Sequence, residues 1–414
     1  MLQINARPKV LVEGYGCSAN MAEAEQIKGF FGSQNHEAAK NAGEANLIVI
    51  HSCGVKKATE FKMKRRVEKL KQLNPNAKII VSGCLPKINP LILAGQENVT
   101  QAGTKLEQIA QIAGLKPQSY SPAIEGERFN PIVSIISIAN GCQSACSFCG
   151  TKKAKGNLQS YPIESIAQRF ERDLKNGSKE FWLTSQDNGC YGFDQKTNLA
   201  KLVSTLLKNN GDFRIRVGMM SPQYLKKYFE EFISLFDDER VYRFAHLPVQ
   251  SGNNRVLEQM RRQYSVEEFE GLVKNLRKNI PHLSVSTDII AGFPTETEEE
   301  FFDSVKLAEK IRFDTVNISK FAVRPGTFAE QLPQLPETEK IARSHILART
   351  CRNIFLEKNK ELVGTRQKIL VTEKAKVNGF AGRTNSYKCV FVPDAKLNEF
   401  ADAKIEEALP NFLK

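Results

Sequence analysis

Between residues 9 and 104 the chain alternates short apolar runs with stretches whose apolar positions recur at helical spacing. The runs are KVLVEGYG from Lys9, LIVIHS from Leu47, KIIVSG from Lys78 and NVTQAGT from Asn98, with helical patterns over 21–31 and 58–73 between them. Near-continuous β-branched runs suit strands covered on both faces, so this part predicts a small parallel sheet with helices packed on it. Six further runs begin at Ile132, Phe181, Arg214, Phe244, Leu283 and Thr315, each followed by an amphipathic or charged stretch long enough for a helix. Six βα units predict a partial (βα)6 TIM-like barrel, whose chemistry belongs in the loops after the strands. Beyond Lys360 the pattern shortens to RQKILVTE, GFAGRTNS and KCVFVPD with a turn at Asn378-Gly379, the signature of a small antiparallel β-barrel. The fold class is α/β, divided into 1–120, 128–359 and 360–414, with 117–130 read as a linker.

Composition narrows the setting. Of 414 residues, 41% are hydrophobic and 25% charged, near the averages for soluble globular proteins. No stretch approaches the roughly 18 apolar residues of a membrane span, and the first ten residues carry no leader pattern. The expectation is a cytoplasmic protein with no membrane partner. Lys plus Arg exceed Asp plus Glu by 13, which favours an acidic partner such as nucleic acid. The nine cysteines are an odd count in a chain without an export signal, so metal binding or catalysis is a better expectation than a disulfide framework.

Their placement carries the chemistry. Cys142, Cys146 and Cys149 follow the first barrel run at spacing Cx3Cx2C. Three thiolates in one loop can hold three irons of a four-iron cluster and leave the fourth iron open to a chelating cofactor. The alternative, a structural zinc site, needs a fourth protein ligand, and none lies close in sequence. Cys17, Cys53 and Cys84 each follow one of the first three runs, where open parallel sheets collect ligands, so they could converge on a second metal site. Buried packing as small apolar groups is the other reading of these three.

The Cx3CxFC motif after the first strand of a six-unit barrel resembles the radical S-adenosylmethionine superfamily. That resemblance implies that Phe148, Ser185, Gln186, Gln250, Ser251 and Gly292 line the cofactor, and that Gly177 and Glu180 form the motif that meets its methionine amine. The additional triplet and the terminal β-barrel resemble the methylthiotransferases, which join a three-cysteine domain, a radical barrel and a TRAM domain. The implied cofactors are two 4Fe-4S clusters and S-adenosylmethionine. One S-adenosylmethionine would methylate sulfur associated with the auxiliary cluster, and a second would supply the radical that activates a C–H bond. An electron donor and a sulfur source, both unidentified, are implied partners. The run TKKAKGNLQSYP from Thr151 and the run WLTSQDNGCYG from Trp182 resemble the branch acting on threonylcarbamoyladenosine in tRNA, with Lys155 where Arg is usual. Cys190, Cys351 and Cys389 are read as structural.

Two basic regions are candidates for holding tRNA. The window 56–71 contains Lys56, Lys64, Arg65 and Arg66, and the terminal barrel offers Arg366, Lys368 and Arg383 beside aromatic residues. The competing substrates are isopentenyladenosine tRNA and a ribosomal protein; a non-catalytic iron-sulfur RNA-binding module would be expected to have lost a cysteine of Cx3Cx2C.

Overall fold

The computed structural model describes residues 7–55, 57–375 and 378–414. Its first sheet is parallel, in the order β2-β1-β3-β4-β5, built from β1 (Lys9–Gly14), β2 (Glu37–Ala38), β3 (Leu47–Ser52), β4 (Lys78–Gly83) and β5 (Val99–Gln101). Helices α1 (Ser18–Ser33), α2 (Lys57–Leu73), α3 (Cys84–Ile88) and α4 (Leu106–Ile112) connect these strands. Two apolar clusters cover the two faces. One joins Val12, Val49 and Ile80 to α1 and α4, and the other joins Ile48, Ile50 and Val81 to α2. The alternating destinations explain why β3 reads as continuous apolar sequence.

The segment 117–130 is not a free linker. Ser121 N–H donates to Gln26 Oε1 (2.9 Å) and Phe129 N–H to Glu25 Oε1 (3.0 Å), so it lies along α1. Gly29 allows the close approach, since a Cβ there would collide with the Glu125 carbonyl.

Next comes β6 (Val133–Ser137), and then a short antiparallel pair, β7 (Ala139–Asn140) with β8 (Gln159–Ser160), brackets the first barrel loop. Helix α5 (Gly150–Lys155) lies within that loop. The remaining barrel strands are β9 (Glu180–Thr184), β10 (Arg214–Val217), β11 (Phe244–His246), β12 (Ser284–Ala291) and β13 (Thr315–Lys320). They form two parallel three-stranded sheets, β6-β9-β10 and β11-β12-β13, and Ile215 of β10 bridges in parallel to Val241 in the segment that leads into β11. Among the described residues no ladder pairs β6 with β13, so the barrel is partial. Its interior and helical surround share one large apolar core from Ile136 to Phe355. Capping boxes at Ser265/Glu268 and Thr297/Glu300 start two of the surrounding helices.

The chain ends in an antiparallel sheet ordered β16-β15-β14-β17, with β14 (Arg366–Lys374), β15 (Phe380–Thr384), β16 (Cys389–Val392) and β17 (Phe400–Lys404). It covers the starts of several barrel strands. Tyr387 stacks 4.9 Å from Tyr242 and 5.0 Å from Phe244, and Arg214 lies 4.6 Å over Phe400. Among the described residues no helix is long and apolar enough to cross a membrane.

Candidate functional site

The first barrel loop is shaped by backbone before side chains enter. Gly141 has φ +74°, and a Cβ there would collide with the Asn157 carbonyl, so the strand can turn into the loop only with glycine. Each of the three thiols then meets an N–H donor. Ser144 N–H reaches Cys142 Sγ (3.3 Å), Arg262 Nη1 reaches Cys146 Sγ (3.2 Å), and Lys152 N–H reaches Cys149 Sγ (3.4 Å) in the first turn of α5. Burial, then the neighbouring Cys146, pushes the Cys149 thiol up to about 11. Donors to sulfur and an unfavourable free thiolate both suit cysteines whose charge is taken up by iron.

The ends of the neighbouring strands face this loop. Gln186 Oε1 accepts from Gly141 N–H (2.6 Å), which ties the end of β9 to the cysteine loop, and Ser185 Oγ donates to Asn188 Oδ1 (2.5 Å). Gln250 takes a left-handed φ of +72° beside the buried Ser251. Gly292, at φ +76° after β12, lies against Lys340, where a Cβ would come within 2.6 Å of Cγ. Phe148 packs edge-on against Phe293 at 6.4 Å.

Gly177 and Glu180 are corrected by the strand register. Glu180 pairs with Val133, the first residue of β6, whereas the cysteine loop follows the last. At about 3.3 Å per residue they sit at the opposite end of the barrel from the loop. Glu180 is fully buried under the terminal domain, accepting from Trp182 Nε1 (2.7 Å), and the Gly177 carbonyl accepts from Asn398 Nδ2 (2.8 Å). Gly177 helps hold that domain on the barrel, and neither residue can reach a cofactor at the loop.

Asp187, Cys190 and Arg262 join the site without having been singled out for it. The Cys142 and Cys190 sulfurs and an Asp187 carboxylate oxygen lie within 4.8 Å of one another. Burial raises the Asp187 pKa, against hydrogen bonds from Ser221 and the charge of Arg262. Arg262 also donates to the Pro248 carbonyl and to Tyr264 Oη, so its guanidinium is fixed beside Cys146. The DNG turn of SQDNGC and the Arg of RRQY were the available signals, but neither spacing points to the cysteine loop.

Cys17, Cys53 and Cys84 come together at the carboxyl end of the first sheet. Gly16, at φ +114°, lies directly on the Cys53 side chain, leaving no room for a Cβ. Asn20 bridges the elements: its Nδ2 donates to the Tyr15 and Ser52 carbonyls (3.0 and 2.9 Å), and its Oδ1 lies 3.9 Å from Cys84 Sγ. Cys53 and Cys84 are buried and Cys17 is exposed, which gives the triplet one open side. Burial pushes the Cys84 thiol well up, and Lys155 is the strongest opposing influence. Three neighbouring thiols with one exposed member suit a four-iron centre with one free iron.

The two triplets are built against each other. Helix α3 begins at Cys84 and packs on α5, which follows Cys149; Cys84, Ile88 and Ala154 share one apolar contact cluster. Thr104 Oγ1 donates to the Ala154 carbonyl (3.1 Å), and Ser18 Oγ lies 2.7 Å from Thr184 Oγ1 at the end of β9. Lys155 crosses the junction fully buried, its Nζ 2.5 Å from both Glu23 oxygens. Glu23 also lies 2.7 Å from His51 Nε2, whose Nδ1 is 2.9 Å from Ser82 Oγ. Burial opposes the Glu23 charge, but Lys155 and His51 together hold its pKa down at about 2. The network thus spans all three cysteine-bearing connections and the radical loop.

Of the basic candidates, Lys64, Arg65, Arg366 and Lys368 are exposed, while Lys56 lies outside the described residues. Two are corrected. Arg66 is committed to Glu13 through both Nε (2.9 Å) and Nη2, and Arg383 is stacked 5.3 Å over Tyr387 and paired with Glu373 at 3.4 Å. Both guanidiniums hold the fold and are not free phosphate contacts.

Comparison with known proteins agrees with this layout. The Radical SAM superfamily profile matches residues 136–308, the uncharacterized protein family UPF0004 residues 9–102, and the TRAM domain residues 360–414. A probable threonylcarbamoyladenosine tRNA methylthiotransferase of Pyrococcus horikoshii is 39% identical over 98% of both chains. The chain belongs to the methylthiotransferase family. A threonylcarbamoyladenosine tRNA methylthiotransferase of Homo sapiens is 33% identical over 98% of this chain and 73% of its own length. Membership in this radical S-adenosylmethionine family brings S-adenosylmethionine and iron-sulfur clusters as cofactors. Among solved structures, the radical S-adenosylmethionine methyltransferase TsrM of Kitasatospora setae shares the fold, with TM-score 0.56 at 13% identity over 78% of this chain and 74% of that one.

Proposed function

We propose that this methylthiotransferase converts N6-threonylcarbamoyladenosine at position 37 of tRNA to its 2-methylthio derivative, with S-adenosylmethionine as radical source and methyl donor. The observation that carries this reading is the direct packing of two cysteine triplets, α3 against α5, within a chain whose full-length relatives bear that activity in their names. Cys142, Cys146 and Cys149 hold one 4Fe-4S cluster, and Cys17, Cys53 and Cys84 hold the auxiliary one. Together with S-adenosylmethionine these centres supply a carbon radical at the first site and a methylated sulfur at the second.

The protein's own residues orient and enclose. Phe148, Ser185, Gln186, Gln250, Ser251 and Gly292 would line S-adenosylmethionine, and Gln186 fixes the loop through Gly141. Arg262 places a positive charge on Cys146, and Lys155 places one beside Cys84, where each offsets the negative charge a thiolate-bound cluster brings into a buried site. The packing of α3 on α5 places the two triplets side by side, as transfer of sulfur from one site to a carbon radical generated at the other requires.

The test is nucleoside mass spectrometry after anaerobic reaction with three substrates: tRNA carrying threonylcarbamoyladenosine, tRNA carrying isopentenyladenosine, and the ribosomal protein modified by relatives. Methylthiolation of the first is expected. Preference for the second overturns the branch assignment, and modification of the protein alone overturns the tRNA reading.

A further inference from the structure

Four large apolar side chains stand in water at the junction of the two cysteine-bearing domains. Val55, Phe61, Val323 and Phe328 are between 38% and 50% exposed. They belong to one rim, because Arg324, in the loop carrying Val323 and Phe328, donates to the Val55 carbonyl (2.6 Å) and pairs with Glu60, the neighbour of Phe61. The rim runs from one triplet to the other. Val55 lies two residues past Cys53, and Ala329, next to Phe328, donates its N–H to the Ser147 carbonyl (2.9 Å) inside the radical loop.

Cations stand on both sides of it. On α2, Phe61 shares a face with Lys64 and Arg65, three and four residues on, and both are exposed. Across the rim the Arg261 guanidinium lies 4.5 Å over the Phe328 ring. Two of the acidic groups nearby are paired with cations, Glu60 with Arg324 and Glu337 with Lys320 (2.6 Å), while Glu330 accepts from the Gly326 N–H (2.7 Å) and keeps its charge. Exposed aromatic rings flanked by free cations are a combination that suits unpaired bases, whose faces stack on rings while phosphates meet the cations. A protein partner would need a larger continuous apolar area than four separated side chains provide.

We propose that this rim, with Phe61 and the exposed part of the Phe328 ring as stacking platforms and Lys64 and Arg65 as phosphate contacts, receives the single-stranded loop of the RNA substrate and presents its nucleotide between the two triplets. The inference rests on the tRNA reading above and adds the residues that read the loop. Paired RNA offers no free base faces, so the rim discriminates loop from stem.

Fluorescence anisotropy with cluster-loaded full-length protein tests this, using an anticodon stem-loop oligonucleotide and a fully paired duplex as probes. Phe61→Ala and Phe328→Ala should each weaken stem-loop binding about tenfold while leaving duplex binding and the melting temperature unchanged. Phe61→Trp should restore affinity, with its fluorescence quenched by the loop. Lys64→Glu with Arg65→Glu should instead weaken both probes and flatten the salt dependence. Wild-type protein that binds the stem-loop, with both Phe→Ala variants equal to it, overturns the rim alone. Wild-type protein that binds neither probe overturns the rim and the tRNA reading together. Self-association abolished by Phe61→Ala without a change in stem-loop binding assigns the rim to a second copy of this chain and likewise overturns the inference.

Discussion

The two cysteine triplets are put together by different routes. One is written in a single loop, where Gly141 turns the strand, N–H groups meet the sulfurs and α5 follows the last cysteine. The other is assembled from three strand ends, and its cysteines are neighbours only because β1, β3 and β4 lie side by side in register. A local motif tolerates changes elsewhere in the chain, whereas an assembled site depends on every element that aligns its strands. The auxiliary triplet depends further on the barrel, since Lys155 is part of its surroundings.

The largest expected effect separates the two sites outright. Changing Cys142, Cys146 and Cys149 together to Ala should abolish cleavage of S-adenosylmethionine and lower bound iron from about eight to about four atoms per chain. Full iron retention would break the two-centre account. Next in size is Lys155→Met, which leaves Glu23 buried with one partner fewer and should cost about 3–5 kcal/mol in unfolding free energy. Adding Glu23→Gln should recover most of that loss, and the radical loop alone should remain able to hold its cluster. Equal damage to both centres would contradict the difference drawn above.

Glu25 gives a pH signature to the helix that Cys17 precedes. Burial raises its pKa to about 7, against the Phe129 N–H and the charges of Arg169 and Arg128. From its ordinary value up to about 7 the folded state holds a proton that the unfolded state has released, so stability falls as pH rises through that window. Glu25→Gln should therefore stabilise the protein above pH 7 by up to about 3 kcal/mol and flatten the profile, as measured by denaturant unfolding at several pH values. The smallest effect is on tuning. Arg262→Gln should make the radical cluster harder to reduce, seen as a more negative potential, and leave the auxiliary centre where it was.

How much of this was legible follows from the same contrast. The α/β class and six parallel barrel strands were readable because buried strands cannot hide their apolar runs. The strands Glu37–Ala38 and Phe400–Lys404 passed unread, being too short or too polar to carry a pattern. The loop cysteines declared themselves by spacing. The assembled triplet showed only through equivalent positions after three strands. Gly177 and Glu180 were misplaced because a motif's residues do not say which end of a strand they occupy, and only the Val133–Glu180 register does. Arg66 and Arg383 looked like free cations because sequence shows charge but not the partner that neutralises it. Cys190 and Asp187 were missed for the converse reason, since nothing local brings them to Cys142.

In the proposed reaction one site makes the radical and the other holds the sulfur that is transferred. Its most direct test is a single anaerobic reaction of threonylcarbamoyladenosine tRNA with wild-type protein and with the variant carrying Ala at positions 17, 53 and 84, with 5′-deoxyadenosine and 2-methylthio nucleoside quantified together. Wild-type protein should form both products, and the folded variant should form 5′-deoxyadenosine without any methylthio product. Methylthiolation by the variant, or loss of 5′-deoxyadenosine formation in a variant that is still folded, would contradict the division of labour.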